Sequence, residues 1–455
     1  MPSRTVSLTG WGRISPSWAE LAEPATVAGA ARLLETSAPG VSKHRVIARG
    51  LGRSYNNAAQ CDGGVVISTA RLNRILDLDP DTGLATCEAG VSLEQLMVAG
   101  LPAGWFVPVS PGTRQVTVGG AIAADVHGKN HHVAGSFARH VRSADIVLPG
   151  GELRTVTGQS DPELFWATTG GMGLTGLIVR AVIQLKRVAT ARVRVDTVRT
   201  ADIDETMAVL AEHDTSFGYT VAWSDSLARG ARLGRSVVTS GDFAELADLP
   251  AADRADPFAF RPGARLGVPP RMPPGLINRY SVALGNEAYY RRAPRSRHGE
   301  LQTIGAFFHP LDAIRNWNRI YGPGGFRQYQ YVVPFGQEVA VRRSFELVSR
   351  ARAASFVTVL KRFGEGDPGP LSFPAPGWTL ALDVPARAGG LDGLLASLDR
   401  LVVDAGGRVY LAKDSRVPAG TLAEMYPRLE EFRKLRAGLD PDGMLASDLS
   451  RRLRL

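Results

Sequence analysis

Two glycine-rich stretches, about sixty residues apart, constrain this 455-residue chain more than any other feature. The first follows the apolar pair Val46 and Ile47 and reads ARGLGRSY over residues 48–55. The second reads PGTRQVTVGGAIAADVHG over residues 111–128, and small residues fill most of it. Because glycine has no Cβ atom, backbone N–H groups in such loops can closely approach a phosphate or a ring. The stretches predict that a flat or extended ligand lies against the main chain.

Length and composition indicate a globular protein of two domains. A chain of 455 residues exceeds one typical core, and 44% hydrophobic and 21% charged residues are ordinary proportions. The 53 basic and 44 acidic residues give a net charge of +9, which favours anionic partners or a solvated basic surface. The excess is scattered and mostly arginine, so a nucleic-acid partner is not expected. Phosphate-bearing ligands at a membrane surface fit it better.

Several classes of protein are disfavoured by what the sequence contains. The two cysteines, Cys61 and Cys87, lie in no metal or redox motif and predict buried, inert thiols in a reducing compartment. No histidine or cysteine cluster has zinc or iron spacing, so no metal is predicted. The sequence has no apolar run of roughly 18 residues and no apolar region at its start. We therefore expect a soluble protein without a secretory signal.

The first 190 residues predict a mixture of short strands and helices. Helices are expected at 26–37, at 92–101 with a capping box of Ser92 and Gln95, and from Asp161 and Pro162 onward. Strands are expected at three places, with a turn at 149–151 between the last two; they are 65–67, 145–148 and 153–156. No regular βαβ period appears. An α+β domain is therefore favoured over a doubly wound sheet.

From about residue 191 the pattern changes to longer strands. Alternating or apolar runs predict strands at 191–196, 219–223, 328–333 and 355–360. Residues 250–275 contain seven prolines, so they are expected to form a mobile loop with neither ladder nor helix. A second domain built on a sheet follows from this pattern.

The two glycine loops, with His127 and Gly128 ending the second, resemble the flavin domain of the vanillyl-alcohol oxidase class of FAD oxidoreductases. Other segments resemble one family of that class, the decaprenylphosphoryl-β-D-ribose 2'-oxidases of actinobacterial cell-wall arabinan synthesis. These segments are HGKNHH at 127–132, GSF at 135–137, ELFWAT at 163–168, GLTG at 173–176, FRQYQ at 326–330 and KDSR at 413–416.

The resemblance runs from residues 8–13 to 446–448 and implies an α+β, two-domain FAD-binding oxidoreductase of the vanillyl-alcohol oxidase type. Its substrate domain would be a mostly antiparallel sheet. The implied boundaries are 6–190 for the FAD-binding domain, 191–406 for the substrate-binding domain and 407–455 for a C-terminal return to the FAD-binding domain. The substrate domain would thus be inserted into a discontinuous flavin domain.

The resemblance also implies the FAD contacts. Many relatives have a histidine bonded covalently to the flavin where this chain has Arg53, so FAD is expected to be non-covalent. The first loop alone is also compatible with a simple glycine hairpin. The implied cofactor-binding residues are Ala48, Arg49, Gly50, Leu51, Gly52, Arg53, Ser54, Tyr55, Asn56, Asn57, Ala58, Gly112, Thr117, Val118, Gly119, Gly120, Ala124, Asp125, Val126, His127, Ile178 and Tyr410.

The same resemblance implies a reacting centre of Lys413, His127 and Tyr55. Taken alone, a single histidine is more often a core residue and a single lysine a solvated one. A polyprenyl-phosphate sugar requires an apolar groove, amides or hydroxyls for the ribose and a cation near the phosphate. The implied substrate-binding residues supply these groups; they are Trp223, Gln328, Gln330, Lys361, Phe363, Asp383 and Lys413.

The implied reaction is oxidation of the ribose 2'-hydroxyl to a ketone, with hydride passing from C2' to flavin N5. A separate NADH-dependent short-chain keto-reductase would then give the arabinose epimer. A lipid substrate implies peripheral contact with the plasma membrane in the cell envelope, from the cytoplasmic face or the periplasm. Two alternatives remain at this point: a soluble FAD-dependent aldonolactone or alditol oxidase, and a catalytically silent flavin-binding or nucleic-acid-binding protein.

Some positions depart from the family pattern. Phe308 stands in place of a tyrosine, Thr379 of an asparagine and Ala381 of a cysteine that covalent inhibitors target. Asn56 and Asn57 replace a Gly-Asp pair in the first loop. The first three are on or beside the substrate side, so they bear on sugar and lipid preference.

Overall fold

The computed structural model describes residues 4–37, 45–264 and 266–455. The strands are β1 Arg4–Leu8, β2 Ser17–Ala22, β3 Val46–Arg49, β4 Val65–Ser68, β5 Ile75–Leu78, β6 Leu84–Glu88, β7 Trp105–Phe106, β8 Val141–Val147, β9 Leu153–Val156, β10 Leu177–Gln184, β11 Lys186–Arg187, β12 Arg192–Thr200, β13 Tyr219–Ser224, β14 Ser236–Phe243, β15 Leu266–Gly267, β16 Ser296–Thr303, β17 Ile314–Arg315, β18 Phe326–Pro334, β19 Thr358–Phe363, β20 Gly377–Pro385 and β21 Arg408–Val409. The helices are α1 Val27–Thr36, α2 Leu93–Gly100, α3 Val118–Ala123, α4 His131–Ala134, α5 Pro162–Thr168, α6 Ile203–His213, α7 Ala251–Arg254, α8 Arg279–Arg292, α9 Ile304–Phe308, α10 Glu338–Arg350, α11 Leu391–Asp404, α12 Ala419–Met425, α13 Leu429–Leu439 and α14 Asp448–Leu453.

Two sheets form from the N-terminal part of the chain. A four-stranded sheet has the order β1-β2-β4-β3, and its last two pairings are parallel. A five-stranded antiparallel sheet has the order β5-β6-β10-β8-β9. The predicted hairpin is confirmed, since β8 pairs with β9 across the turn at 149–151. The predicted strand at 65–67 is β4.

The helix starts follow the local chemistry expected from the sequence. Ser92 Oγ accepts the backbone N–H of Gln95, and the Gln95 side chain accepts the N–H of Ser92, so the predicted capping box of α2 is confirmed. Asp161 caps α5 by accepting the N–H of Leu164, and Pro162 takes the first helical position. The predicted helix at 26–37 is α1, which Thr26 caps.

A large antiparallel sheet dominates the second half of the chain, with the order β16-β12-β14-β13-β19-β20-β18-β21. Helices α6, α10 and α11 pack on it, and their buried apolar residues join its core. Successive residues of a strand point to opposite faces of a sheet. One face is covered by these helices, and the opposite face of β13, β19, β20 and β18 therefore points toward the glycine loops. The predicted α+β class with a mostly antiparallel sheet is confirmed.

Two predictions about the second half need correction. Residues 250–275 contain the short helix α7, and β15 pairs in parallel with β17, so the expectation of neither helix nor ladder is wrong. Both elements are short enough to fit between the prolines. The strand predicted at 355–360 begins at Thr358, because the Ser355 hydroxyl donates to the Val357 carbonyl in a local turn.

The end of the chain returns to the first sheet. Val46 donates to the Met444 carbonyl at 2.8 Å, and Ala446 donates to the Val46 carbonyl at 2.9 Å. Just before this, the Tyr55 N–H donates to the Ala412 carbonyl at 3.0 Å. These bonds bring the segment around residue 413 against the first glycine loop.

Both cysteines are buried and unpaired, as predicted for inert thiols. Within the described ranges, the helices lack the combination of length and apolar character that a membrane crossing needs.

Candidate active site

A cavity of about 1490 Å³ lies between the two glycine loops and the open face of the large sheet. Strand alternation explains which sheet residues reach it. Gln328 and Gln330 face it from β18, Ala381 from β20 and Lys361 from β19. Trp223 on β13 completes this wall. The register places these strands side by side, since Gln330 pairs with Ala381 and Lys361 with Thr379.

The first glycine loop is packed so tightly at its two glycines that neither position has room for a side chain. A Cβ atom on Gly50 would lie 2.2 Å from Thr117 Oγ1. Gly52 has φ +64°, a conformation that favours glycine. Arg49 supports the loop from behind, because its guanidinium donates to the carbonyls of Thr9 and Ala59 at 2.8 and 3.0 Å. These contacts hold the loop in place at the cavity wall, which Gly50 and Gly52 line.

The second glycine loop leads into helix α3. Thr117 caps the helix by accepting the Gly120 N–H at 3.1 Å. Thr117, Gly119 and Gly120 line the cavity, so the N-terminal end of the helix lies at the cavity wall. A Cβ on Gly119 would meet the Ala89 Cβ at 2.9 Å, so this helix must approach the neighbouring chain closely. A Cβ on Gly112 would have no neighbour within 4 Å, so this position faces open space.

Asp312, from the second half of the chain, fixes the entrance to this loop. Its carboxylate accepts the Thr113 hydroxyl at 2.7 Å and the Arg114 N–H at 2.9 Å. Arg114 also pairs with Glu94 at 2.5 Å. The loop is thus held by both halves of the chain.

His127 lies at the junction of the loop and the sheet. Its Nε2 accepts a hydrogen bond from Gln330 Nε2 at 3.1 Å, so the ring proton sits on Nδ1. The ring packs against Phe363 at 4.8 Å and Tyr410 at 5.0 Å. Burial, followed by the charges of nearby lysines, holds the pKa of His127 well below its usual value. The histidine is therefore neutral at physiological pH.

Three lysines, Lys129, Lys361 and Lys413, line the cavity. Lys361 donates to the Gly128 carbonyl at 3.3 Å, and Lys129 donates to the Phe307 carbonyl. Among the residues described, no carboxylate lies within 4.0 Å of any of these ammonium nitrogens. Burial lowers the pKa of Lys129 and Lys361 to about 7, and the latter also experiences its two neighbours' charges. Such a cluster is suited to an anionic ligand.

Lys413 lies beside two aromatic rings of the cavity lining. Its Nζ is 5.5 Å from the centre of the Tyr55 ring and 5.9 Å from that of Tyr410. Burial lowers the pKa of Lys413 to about 8, and the charge of Asp383 opposes that shift. Burial, followed by Asp383, raises the pKa of Tyr55 far above its usual value, so this phenol stays protonated. The pair offers one cation and one neutral hydroxyl donor.

The amides of β18 are held in place from the neighbouring strand. Gln330 donates to Thr379 Oγ1 at 2.9 Å, and Gln328 donates to the buried Asp383 carboxylate. Burial raises the pKa of Asp383 to about 7, while Gln328 and Lys413 oppose the rise. Gln328 and Gln330 therefore present oriented amides to the cavity.

Most of the predicted site residues meet at this one cavity. Those that line it are Ala48, Gly50, Leu51, Gly52, Arg53, Ser54, Tyr55, Ala58, Gly112, Thr117, Gly119, Gly120, Ala124, Val126, His127, Ile178, Trp223, Gln328, Gln330, Lys361, Tyr410 and Lys413. Seven others do not line it, and these are Arg49, Asn56, Asn57, Val118, Asp125, Phe363 and Asp383.

Several residues behind the wall have clear supporting contacts. Asn56 donates to the carbonyls of Leu411 and Asp414, so it ties the first loop to the C-terminal segment. Asp125 accepts the hydroxyl of Ser372 at 2.6 Å. Phe363 packs beside His127. Asn56, Asp125 and Phe363 therefore lie behind the cavity wall and support the residues that line it.

Sequence reasoning gave no role to Lys129 or Asp312. Lys129 lies within the HGKNHH motif, and this motif was the only signal in the sequence that could have indicated it. Lys129 and Lys361 become neighbours only in the folded chain. Asp312 lies in a segment without a recognisable motif, and only tertiary contacts reveal its hold on residues 113 and 114.

Among the residues described, no group of three or more His, Cys, Asp or Glu side chains is arranged to hold a metal ion. The site fits FAD instead. Side-chain-free backbone at Gly112 offers room along the second loop, and buried apolar walls at Ile178 and Tyr410 suit a flat ring.

Comparisons with known proteins agree with this fit. Residues 20–157 match the FAD binding domain family, and residues 393–453 match the D-arabinono-1,4-lactone oxidase family. Together with the fold, they define an FAD-dependent oxidoreductase of the two-domain vanillyl-alcohol oxidase type.

Relatives narrow this class further. The chain is 44% identical over 459 residues to the decaprenylphosphoryl-beta-D-ribose oxidase of Mycolicibacterium smegmatis, covering 100% of this chain and 98% of that protein. It is 44% identical over 375 residues to an uncharacterized protein of Streptomyces coelicolor, covering 80% of this chain and 100% of that protein. The L-gulono-1,4-lactone dehydrogenase of Mycobacterium tuberculosis is 26% identical over 428 residues, covering 90% of each chain. The chain belongs to the decaprenylphosphoryl-β-D-ribose oxidase family.

Proposed function

We propose that this enzyme oxidises the ribose 2'-hydroxyl of a polyprenylphosphoryl-β-D-ribose to a ketone. The observation that carries the proposal is the group of three lysines at a cavity that also has glycine loops and apolar walls. The name of the Mycolicibacterium smegmatis relative specifies the same kind of lipid sugar. This oxidation would be the first half of an epimerisation to the arabinose lipid used for cell-wall arabinan.

The phosphate would bind at Lys361 and Lys129. Their ammonium groups lack a carboxylate partner among the residues described, and burial favours loss of their protons. A phosphate would reverse that tendency, because a nearby anion stabilises the charged lysine. Binding of the substrate and protonation of these lysines would therefore support each other.

The prenyl chain would lie in the apolar part of the cavity. Its lining combines Val221 and Trp223 of β13 with Val237 of β14, and Phe307 and Phe308 face them from α9. Phe308 packs edge-on against Phe307 at 4.9 Å. Phe308 has no hydroxyl where the family pattern has tyrosine, so this part of the lining has one polar group fewer and suits hydrocarbon better.

The ribose would be positioned by the polar groups of the same wall. Gln328 and Gln330 offer fixed amides, and Tyr55 offers a phenol that stays protonated. Lys413 would hold the reacting hydroxyl and stabilise negative charge that develops on oxidation. His127, being neutral and bonded to Gln330, would orient that amide without adding a charge.

FAD supplies the two-electron acceptor for this oxidation when it is bound. We propose that it is held without a covalent link. The Arg53 guanidinium donates to the Leu51 carbonyl at 2.5 Å and lies 4.2 Å from the Trp11 ring centre. Arginine has no ring nitrogen that forms the histidine-type flavin bond, and these contacts give it a supporting role in the loop.

We propose that 6–190 and 407–455 hold the cofactor while 191–406 bind the lipid sugar. The ketone would pass to a separate NADH-dependent short-chain reductase, because an epimer forms only when hydride returns to the opposite face. A lipid substrate also requires contact with a membrane surface, without a nucleic-acid partner.

An aldonolactone or alditol oxidase is the second candidate, favoured by the C-terminal match at 393–453. Anaerobic bleaching of the bound flavin separates the two. The purified yellow enzyme is mixed with a short-chain prenylphosphoryl-ribose, an aldonolactone or an alditol. Bleaching by the prenylphosphoryl-ribose alone supports the proposal, and bleaching only by lactone or alditol refutes it.

A further inference from the structure

We propose that helix α8 and the arginine-rich segment around it dock on an anionic lipid bilayer. The inference rests on the proposed lipid-sugar oxidation and identifies the face through which the prenyl chain would enter. The docking surface is defined as residues 261–297 without Arg265. This surface has exposed apolar side chains, a basic charge, continuity with the cavity and rigid anchoring.

The docking surface exposes large apolar side chains to solvent. Tyr280 and Leu284 are 70% and 74% exposed and lie one helical turn apart on α8, and Leu266 is 69% exposed. A soluble helix usually turns such a stripe inward. Here the stripe points outward, as expected of an interfacial helix whose apolar side chains enter the boundary of a bilayer.

Charge is concentrated in the same stretch of sequence. Without Arg265, residues 261–297 contain seven arginines and a single acid, Glu287, which gives this surface a net charge of +6. Arg271, Arg279 and Arg295 are exposed. Glu287 pairs with Arg235 and Arg291 at 2.5 Å each, and Arg297 pairs with Glu300 at 3.1 Å. Among the residues described, Arg271, Arg279 and Arg295 have no carboxylate within 4.0 Å of their guanidinium nitrogens. Anionic phospholipid headgroups complement this charge.

The inner side of α8 borders the active-site cavity. Val282, Gly285 and Tyr289 line it, and the Tyr289 ring meets Trp223 edge-on at 4.6 Å. Leu276, which precedes the helix, lines the cavity while remaining 39% exposed. The docking surface is therefore continuous with the cavity that would hold the prenyl chain. This continuity suits a substrate that passes from a bilayer into the cavity at this helix.

Buried polar contacts hold α8 in this orientation. Asn286 donates to the Asp225 carboxylate at 2.8 Å, and the Tyr290 hydroxyl donates to the Thr200 carbonyl at 3.0 Å. Asn278 also caps the helix by accepting the N–H groups of Tyr280 and Ser281. Turning the exposed stripe inward would break the buried contacts, so the outward apolar face is a fixed feature.

The binding test uses FAD-loaded enzyme and flotation with vesicles. Wild-type enzyme should float with phosphatidylcholine vesicles containing phosphatidylglycerol, and less so with phosphatidylcholine alone or at high salt. Tyr280→Ser combined with Leu284→Ser should weaken binding about tenfold, and Arg279→Gln about fivefold. The matched controls Val339→Ser and Arg71→Gln change exposed residues elsewhere and should bind as wild type.

Three binding outcomes would overturn the proposal. They are absence of wild-type flotation, equal binding by the docking-surface variants, and equal loss in the controls. A dimer in solution that Leu284→Ser dissociates, without wild-type vesicle binding, would instead identify this face as a contact between two copies of the chain.

Activity distinguishes this proposal from the proposed function. The Leu284→Ser and Tyr280→Ser double variant should bleach normally with a short, water-soluble prenylphosphoryl-ribose. It should bleach about tenfold more slowly with the long-chain lipid embedded in anionic vesicles. Equal rates with the embedded lipid refute docking alone, whereas failure of wild-type enzyme with both substrates refutes the proposed function.

Discussion

Substitution of Lys361 by methionine should stabilise the FAD-loaded enzyme while weakening its hold on substrate. Methionine keeps most of the side-chain length and removes the ammonium. In the folded protein, burial and then the charges of Lys413 and Lys129 lower the pKa of Lys361 from 10.5 to about 7. The site therefore keeps an ammonium that the fold disfavours, as expected of a group retained for binding.

The magnitude follows from this change in pKa. Keeping the lysine charged below pH 7 costs roughly 5 kcal/mol relative to the unfolded chain. The side chain borders an open cavity, so we take about half of this to allow for screening by water. Loss of the hydrogen bond to the Gly128 carbonyl offsets ~1 kcal/mol. Lys361→Met should thus raise the free energy of unfolding by about 1.5 kcal/mol.

The pH dependence of the effect has a definite sign. Between about pH 7 and 10.5 the unfolded chain holds this proton more tightly than the folded one, so wild-type stability rises with pH. The advantage of Lys361→Met is fully present below pH 7 and should fall by more than half near pH 9. Urea unfolding midpoints at both pH values measure it, with the exposed Lys434→Met as the matched control.

Substrate binding provides the second readout. Loss of a charge-assisted bond to phosphate should raise KM by roughly tenfold or more, with little change in FAD content or in the rate at saturation. A variant that is less stable than wild type at both pH values, or one that binds the prenylphosphoryl-ribose normally, would refute the assignment of Lys361 to the phosphate.

Experiments at four other positions, Lys413, Arg53, Ala381 and Gly50, each have one expected result. Lys413→Met should bind FAD but slow substrate-driven bleaching on the order of a hundredfold. The wild-type rate should fall as pH rises through about 8, the pKa of Lys413. Near-normal bleaching in the variant would contradict the role of Lys413. Acid precipitation should release all flavin colour, because Arg53 forms no covalent link, and a yellow pellet would show otherwise. Nitroaromatic inhibitors that need a thiolate should leave no mass adduct at Ala381, while Ala381→Cys should gain one. Gly50→Val should lose FAD, since a Cβ there would lie 2.2 Å from Thr117 Oγ1, and full flavin content would disprove the tight-loop argument.

Local chemistry made the elements around the cofactor predictable. Ser92 and Gln95 cap α2 as their spacing indicates, and Asp161 caps α5. Such signals act over a few residues, so they are readable in sequence. The proline count over 250–275 misled because it describes a whole segment, whereas α7 needs only four proline-free residues.

Tertiary relations were less accessible from sequence. Lys129 joins Lys361 only because the segment after His127 folds against β19. Likewise, the family resemblance gave Asp383 as a substrate contact, but its carboxylate is buried behind Gln328. A motif indicates which residues belong to a site, while packing decides which of them reach the cavity.

Oxidation at the ribose 2'-position is tested most directly by anaerobic stopped-flow reduction of the bound flavin with a short-chain prenylphosphoryl-ribose, carrying either hydrogen or deuterium at C2'. We expect that the flavin bleaches, that the deuterated substrate reacts several-fold more slowly, and that the product has lost two hydrogens. Absence of bleaching would contradict the proposed substrate. Bleaching at equal rates, with a product oxidised at another carbon, would contradict the 2'-position.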